Sequence, residues 1–353
     1  MRLRGKGEVM EDLRVTDGRA TMQHVATLAG VSLKTVSRVV NGETGVSEPL
    51  VERVQEAVAR LGYRHNLAAS NLRRGRRTAS IGMLVQDLSN DYCGQLLGAV
   101  EAVARQRGVV VMSASLDEEP ERERELVGRL VSRRIDGLIL MPATDDQRYL
   151  LPEIMAGLSV VVVDRAPRGV ALDSVSVDNH AGAADAVRHL AGFGHRRIAF
   201  LGDDGHISTA LERRAGYRAA LGKLGLRLDP DLDRLGIRNE VDAEIEARAV
   251  LALPDPPTAI FTGRNTITVG AIRALRALGL THEIALVGFD DFFTADLLEP
   301  GVTCVKQAVH DQGETAIDLL LSRLDGEQGP PRDVVLATTL VVRGSGEIPG
   351  PHL

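Results

Sequence analysis

Aromatic side chains are scarce in this chain of 353 residues: tryptophan is absent, and the aromatic content is 3%. Few rings are therefore left to act as stacking platforms for any ligand. Cysteine is almost as rare, and Cys93 and Cys304 stand far apart and match no metal or redox spacing. No apolar run approaches the roughly 20 residues needed to span a bilayer. The first stretch, MRLRGKGEVMEDLRVTDGRA, lacks the apolar core of a signal peptide, so a cytoplasmic location is the expectation. Enzyme motifs are missing too. There is no nucleophile elbow, P-loop or metal-ligand cluster, and Gly192-Phe193-Gly194 follows a helical stretch instead of opening a helix after a strand. His195 and His206 read as structural or exposed. The expectation is a protein with no catalytic residues, no cofactor and no metal.

A net positive charge is also lacking, since the chain carries −6 at pH 7. The charge is nevertheless uneven. Residues 20–78 hold nine Lys/Arg against four Glu, and residues 79–353 carry −12. A basic head on an acidic body implies a polyanion partner at one end only. The length is too great for a single core, so two or three domains are expected.

What the chain does have begins at Thr21. The stretch TMQHVATLAGVSLKTVSRVVN reads as two short helices joined at Ala29-Gly30-Val31. Gly30 suits the positive φ of such a turn, and Ser32 can cap the second helix. On that helix Val36, Val39 and Val40 fall on one face, and Lys34, Arg38 and Asn41 on the other. A capped helix with a stripe of donors suits the DNA major groove, where Arg and Lys read guanine and Asn reads adenine. A third helix opens at Ser47-Glu48-Pro49, carries Leu50, Val54, Ala57 and Leu61 as its apolar stripe, and ends at Gly62. Residues 1–20 read as a disordered tail, with Met10 and Met22 as alternative starts.

Residues 66–79 contain the makings of a short helix followed by Arg73, Arg74, Arg76 and Arg77. Too short to be helical alone in water, the segment reads as a linker or as a hinge that orders against phosphate. From Ile81 the texture changes. Apolar runs at 81–85, 109–113, 137–141, 160–164, 198–202, 259–263 and 284–290 alternate with helical patterns, the signature of parallel sheets covered on both faces. A break near Ser174–Asn179 divides the body into two subdomains. A further helix is expected over 305–326 and one strand over 334–342. In open α/β sheets ligands bind beyond the carboxyl ends of the strands. That rule selects Gln86-Asp87, Asp164-Arg165, Arg264-Asn265 and Asp290-Asp291.

These residues resemble the lactose-repressor family of bacterial transcription regulators over about Thr21 to Gly346. The headpiece run VATLAGVSLKTVSRVVN and then VSEPLVERVQEAVARLGYRHNLAASNLRRG carry the resemblance most specifically. The body adds IGMLVQDLSNDY, VDNHAGAADAVRHLAGFGHRRIAFLG, RRAGYRAAL, GAIRALRALGL and LVGFDD. The resemblance implies an N-terminal all-α helix-turn-helix headpiece (21–65, its two-helix unit 22–41) and a hinge helix and linker (66–79). It also implies an α/β core similar to periplasmic binding proteins (80–345), with two parallel-sheet subdomains, about 80–177 plus 306–335 and 178–305 plus 336–345; residues 346–353 form a tail. Members act as homodimers on pseudo-palindromic operators in double-stranded DNA, most often as repressors, with no membrane partner.

Carried over by position, Leu33, Lys34 and Arg38 would read bases. Thr35, Ser37, Asn41, Ser47, Tyr63 and Asn66 would anchor phosphates or the headpiece frame. Leu72 would be the minor-groove wedge, with Ala69, Arg73 and Arg76 beside it at the DNA. Periodicity alone places Leu33 near the inward stripe, so its base-facing role rests on the resemblance. The effector cleft would use Gln86, Asp87, Asp91, Tyr92, Asp164, Arg165, Arg213, Arg264, Asn265, Asp290 and Gln307. Aspartates there accept from sugar hydroxyls, and Arg213 donates a fork of N–H groups. Where many relatives carry Asn-Asp, this chain has Arg264-Asn265, which would suit an acidic or phosphorylated sugar as effector. Tyr92 and Phe292 or Phe293 are the candidate stacking rings.

The implied function is a transcription regulator whose operator affinity is controlled by a sugar or sugar phosphate bound between the subdomains. A solute-binding protein serving a transporter would share the body, but it would need a secretion signal and have no use for the basic headpiece.

Overall fold

The computed structural model describes residues 20–64 and 78–351, and the chain divides into two units between Thr78 and Ala79. The expected tail before residue 20, and Asn66, Ala69, Leu72, Arg73 and Arg76 of the expected hinge, lie outside the described residues. No helix among them is long and apolar enough to cross a membrane.

The first unit holds α1 (Met22–Ala29), α2 (Leu33–Val40) and α3 (Glu48–Leu61). A reciprocal cap starts α1: Thr21 Oγ1 accepts from the His24 amide and His24 Nδ1 accepts from the Thr21 amide, both at 3.3 Å. Gly30 ends it at φ +63°, and Ser32 Oγ then caps α2 by accepting from the Thr35 amide at 3.1 Å. Val25, Ala26, Ala29, Val36, Val54 and Ala57 form the core. The Arg53 guanidinium on α3 donates to the Ala29 carbonyl and so ties the third helix to the turn between the first two. Ser47 stands at the cap position of α3, yet its side chain makes no capping bond; Pro49 in the first turn and Glu48 near the positive helix end support that start instead.

The second unit contains two parallel sheets of the same design. Its elements, in chain order, are β1 (Ser80–Val85), α4 (Asp91–Gln106), β2 (Val110–Ser115), α5 (Pro120–Ser132), β3 (Gly137–Leu140), α6 (Leu151–Met155), β4 (Ser159–Val163) and β5 (Asp173–Val177). There follow α7 (Asn179–Gly192), β6 (Ile198–Leu201), α8 (Ser208–Lys223), β7 (Asp233–Arg234), α9 (Glu240–Leu251), β8 (Ala259–Thr262), α10 (Asn265–Leu278) and β9 (Ala285–Phe289). The chain closes with β10 (Thr303–Lys306), α11 (Val309–Leu324), β11 (Asp333–Leu336) and β12 (Thr339–Val341).

Sheet one runs β2-β1-β3-β4-β5-β11 and sheet two β7-β6-β8-β9-β10-β12; β12 alone among these strands pairs antiparallel. In each sheet the first strand lies between the second and the third, a topological switch point that opens a crevice at the carboxyl ends. Ile81, Met83, Leu96 and Leu320 pack one face of sheet one, and Leu84, Leu138, Leu140 and Leu150 the other. In sheet two Phe200, Tyr217 and Phe261 fill one face, and Leu201, Ile260, Ala247 and Ala271 the other. Close approaches require small residues. A Cβ on Gly216 would stand 2.2 Å from the His180 carbonyl oxygen, where α8 meets α7.

Two expectations need correction. The stretch 334–342 is not one strand. It divides into β11 in sheet one and β12 in sheet two, because the chain crosses between the lobes at 337–338. Nor does a helix begin at 305: Val305 and Lys306 complete β10, and α11 starts only at Val309, after a second crossing.

Candidate ligand cleft and reading helix

On α2, Leu33 is 46% exposed, so the side chain that periodicity places inward faces solvent. Lys34 beside it is exposed, while Arg38 is half-buried. Arg38 Nη2 donates to the Thr44 carbonyl at 2.6 Å and its Nε lies 3.7 Å from Glu43. Thr35 Oγ1 meets Ser32 Oγ at 2.9 Å, which spends its hydroxyl on the cap. Asn41 caps the end of α2 and donates to the carbonyl of Ser37 and, at 3.2 Å, to its hydroxyl. That engagement fits a frame role better than adenine reading. Ser47 is exposed, and Tyr63 packs partly buried on the headpiece core.

The second unit has a cleft at the carboxyl ends of both sheets, with about 640 Å³ of empty space that includes its opening to solvent. Gln86, Asp87, Tyr92, Asp164, Arg165, Arg213, Arg264, Asp290 and Gln307 line it, as the strand-end rule and the resemblance expect. Asp91 and Asn265 do not. They sit at the first turns of α4 and α10 and are engaged between the lobes. Glu118, Asp203 and Thr266 line the cleft without having been singled out, although Asp203 follows the apolar run of β6 and the strand-end rule could have found it.

The lobe-one wall is built on strand ends. Gln86 Nε2 donates to the Met141 carbonyl and its Oε1 accepts from the Glu118 amide, both at 3.0 Å, which ties the exits of β1, β2 and β3 together. Arg165 donates to Glu118 Oε2 and to the Pro142 carbonyl, each at 2.7 Å. Burial pulls its basicity down, but the Glu118 carboxylate outweighs burial and raises it. Tyr92 is buried with its hydroxyl 3.3 Å from Asp164 Oδ1 and 3.1 Å from Gln312 Oε1. Burial, then the Asp164 and Asp290 charges, hold the phenol well above its ordinary range. Burial likewise raises Asp164, against the pull of Arg165 and Arg213.

In lobe two, Arg213 is 5% exposed and lies 3.8 Å above the Phe289 ring. It donates to Asn179 Oδ1 at 2.8 Å, the Gly263 carbonyl at 2.7 Å and Asp290 Oδ2 at 3.2 Å. Gln307 Nε2 donates to Asp290 Oδ1 at 2.6 Å, while the buried Gln307 Oε1 has no partner among the described residues. Arg264, offered by the sequence to an acidic ligand, is already occupied. It pairs with Asp203 and donates to Thr266 Oγ1 at 2.6 Å and the Arg238 carbonyl at 2.9 Å. Burial raises Asp203, with Arg264 opposing. Among the described lining residues, five carboxylates face three guanidinium groups, each of which is paired. A cleft with its guanidinium groups paired and carboxylates in excess offers acceptors and directed N–H groups, the pattern that hydroxyl groups need.

His195 is fully buried. Its Nε2 faces the Ile348 carbonyl and its Nδ1 the Thr258 hydroxyl, both at 2.9 Å, so the ring is a structural tie. Since a carbonyl only accepts, Nε2 carries the proton. His206 is exposed and pairs with Asp204.

Residues 21–66 match the family model described as bacterial regulatory proteins, lacI family, and residues 187–346 match the periplasmic binding protein-like domain. The transcriptional regulator CelR of Thermobifida fusca is 35% identical, over 93% of this chain and 98% of its own. A crystal structure of the lac repressor dimer bound to operator and an anti-inducer is 28% identical with a TM-score of 0.82, covering 93% of this chain and 99% of that one. A CelR–cellobiose complex is 32% identical with a TM-score of 0.68, covering 93% and 100%.

Proposed function

This chain belongs to the lacI family of bacterial regulatory proteins, DNA-binding transcription regulators and not enzymes, and from that premise we propose what it senses and how it reads DNA. The effector is a neutral, hydroxyl-rich molecule of sugar size held between the two lobes. The observation that carries this is the Arg213–Asp290–Gln307 cluster. Its guanidinium and carboxylate are buried and fixed, and Gln307 Oε1 awaits a donor. A ligand hydroxyl would satisfy that acceptor, whereas a phosphate would have to compete with carboxylates already paired to every arginine of the wall. The cellobiose found in the CelR complex is of this chemical class.

The protein acts as a homodimeric repressor on a pseudo-palindromic operator in the cytoplasm. Leu33, Lys34 and Arg38 meet bases, Thr35, Ser37, Asn41, Ser47 and Tyr63 fix the frame, and the 66–79 segment acts as hinge between a 21–65 headpiece and an 80–345 core. The ligand shifts operator affinity by its differential affinity for two lobe arrangements, typically about 1–3 kcal/mol of coupling.

Two measurements test this reading. Genomic fragments captured by the purified chain at low salt should be released steeply as salt rises. A thermal-shift screen should give larger stabilisation with neutral mono- and disaccharides than with their phosphates. A screen in which only phosphorylated sugars stabilise the protein would overturn the effector reading.

A further inference from the structure

Two helix starts meet across the mouth of the cleft. Asn90, which caps α4 of lobe one, and Asn265, the first residue of α10 in lobe two, form a reciprocal amide pair: Asn90 Nδ2 donates to Asn265 Oδ1 at 3.0 Å and Asn265 Nδ2 to Asn90 Oδ1 at 3.1 Å. Backbone donors set the orientation of each amide. Asn90 Oδ1 also accepts from the Tyr92 amide at 3.0 Å, and Asn265 Oδ1 from the Thr266 amide at 2.7 Å. Each oxygen is thus turned to its own helix, and each NH₂ group is left facing the opposite lobe. One residue on, Asp91 Oδ2 accepts from the Phe293 amide of lobe two at 3.1 Å and from Gln95 at 3.0 Å. Three hydrogen bonds between the lobes therefore converge on residues 90 and 91, and Asn265 and Phe293 lie outside the lining of the cleft itself.

We propose that Asn90 and Asn265 are positioning residues that latch the two lobes shut in the ligand-free protein. A ligand then enters a clamshell whose closure is already favoured, and its apparent affinity rises with the closed fraction. The residue type at 265 is central to this. A carboxylate there would face Asn90 with acceptors only, so one of the two reciprocal bonds would be lost and Asn90 Oδ1 left without its cross-lobe donor. An amide makes the pair self-complementary and free of net charge.

The test uses the full chain without any ligand, so its failure leaves the effector reading untouched. Spin labels go on cysteines introduced at the exposed Glu121 of lobe one and Arg238 of lobe two; the native Cys93 and Cys304 are buried. Pulsed dipolar spectroscopy should give a single short distance for the parent. Asn265→Ala and Asn90→Ala should each add a longer population, with the closed-to-open ratio falling about tenfold for two lost hydrogen bonds. The double variant should add little to either. The double variant also separates the latch from two local helix roles: independent local effects would add, whereas two halves of one latch would not. Unchanged distances in both alanine variants, or additive opening in the double variant, would overturn the proposal.

Discussion

Asp164 and Asp290 occupy the same place in their two sheets. Each follows the fourth strand of its lobe, β4 or β9, and each adopts left-handed backbone, at φ +69° and +68°. A residue with a Cβ pays for that conformation, and Asp and Asn tolerate it best. The turn swings both carboxylates into the cleft. Their surroundings differ, since Asp164 is held above the usual carboxylate range by burial, whereas Asp290 is clamped between Arg213 and Gln307.

The two aspartates should therefore respond differently to the same change. Asp164→Asn removes a charge that burial disfavours, so stability at pH 7 should stay within about 1 kcal/mol or rise. Asp290→Asn strips the buried Arg213 of its counter-ion and should cost about 3 kcal/mol. Alanine at either site should cost about 1–2 kcal/mol beyond asparagine for the left-handed backbone. Urea unfolding measures all four, and equal losses for the two asparagine variants would refute the difference in environment.

Asp173 predicts an acid limb. Burial alone would raise its carboxyl, but hydrogen bonds from Arg323 and Arg332 outweigh it and bring the pKa down from 3.8 to about 2. Because the folded value is depressed, the stabilisation is present above pH 4 and is lost as pH falls from about 4 to 2. Allowing for the solvent access of Arg332, the contribution is about 1–2 kcal/mol. Asp173→Asn should lower stability at pH 7 by that amount and flatten the stability curve between those pH values. An unchanged acid limb would show that the carboxylate is not the linked group.

Arg38 and Arg76 should separate specificity from affinity. Arg38→Ala should cost about 1–3 kcal/mol on the preferred duplex and relax base preference. Arg76→Ala, in the segment outside the described residues, should weaken all duplexes alike and reduce the salt slope by about one. Binding to captured operator and to scrambled DNA tells them apart; the same loss of discrimination from both changes would count against the assignment.

Gly216→Ala should be among the costliest single-methyl changes in the core. Its Cβ would overlap the His180 carbonyl, a backbone atom that cannot swing aside, so α8 must move away from α7. A loss of about 2–3 kcal/mol by chemical denaturation is expected.

Much of this architecture was legible because fully buried parallel strands read as unbroken apolar runs, as in Val160–Val163 and Ile198–Leu201. Strand β5, Asp-Ser-Val-Ser-Val, alternates with polar residues and was invisible to that signal, so it read as a break. The crossing at 337–338 was hidden for a different reason: Ala337-Thr338 interrupts an apolar pattern without any turn residue. Leu33 shows the limit of periodicity on a short helix, where an exposed leucine and a core leucine look alike. Charge pairing was equally out of reach. Nothing local to Arg264 reveals that Asp203, sixty-one positions earlier, neutralises it.

The connections between the lobes carry a consequence for biosynthesis. Sheet one gains its edge strand only at Asp333–Leu336, and sheet two its own at Thr339–Val341. A nascent chain thus holds two unfinished sheets until residues 333–341 have been made. Any truncation upstream of residue 333 leaves β5 and β10 as open edges prone to pair with a neighbouring polypeptide.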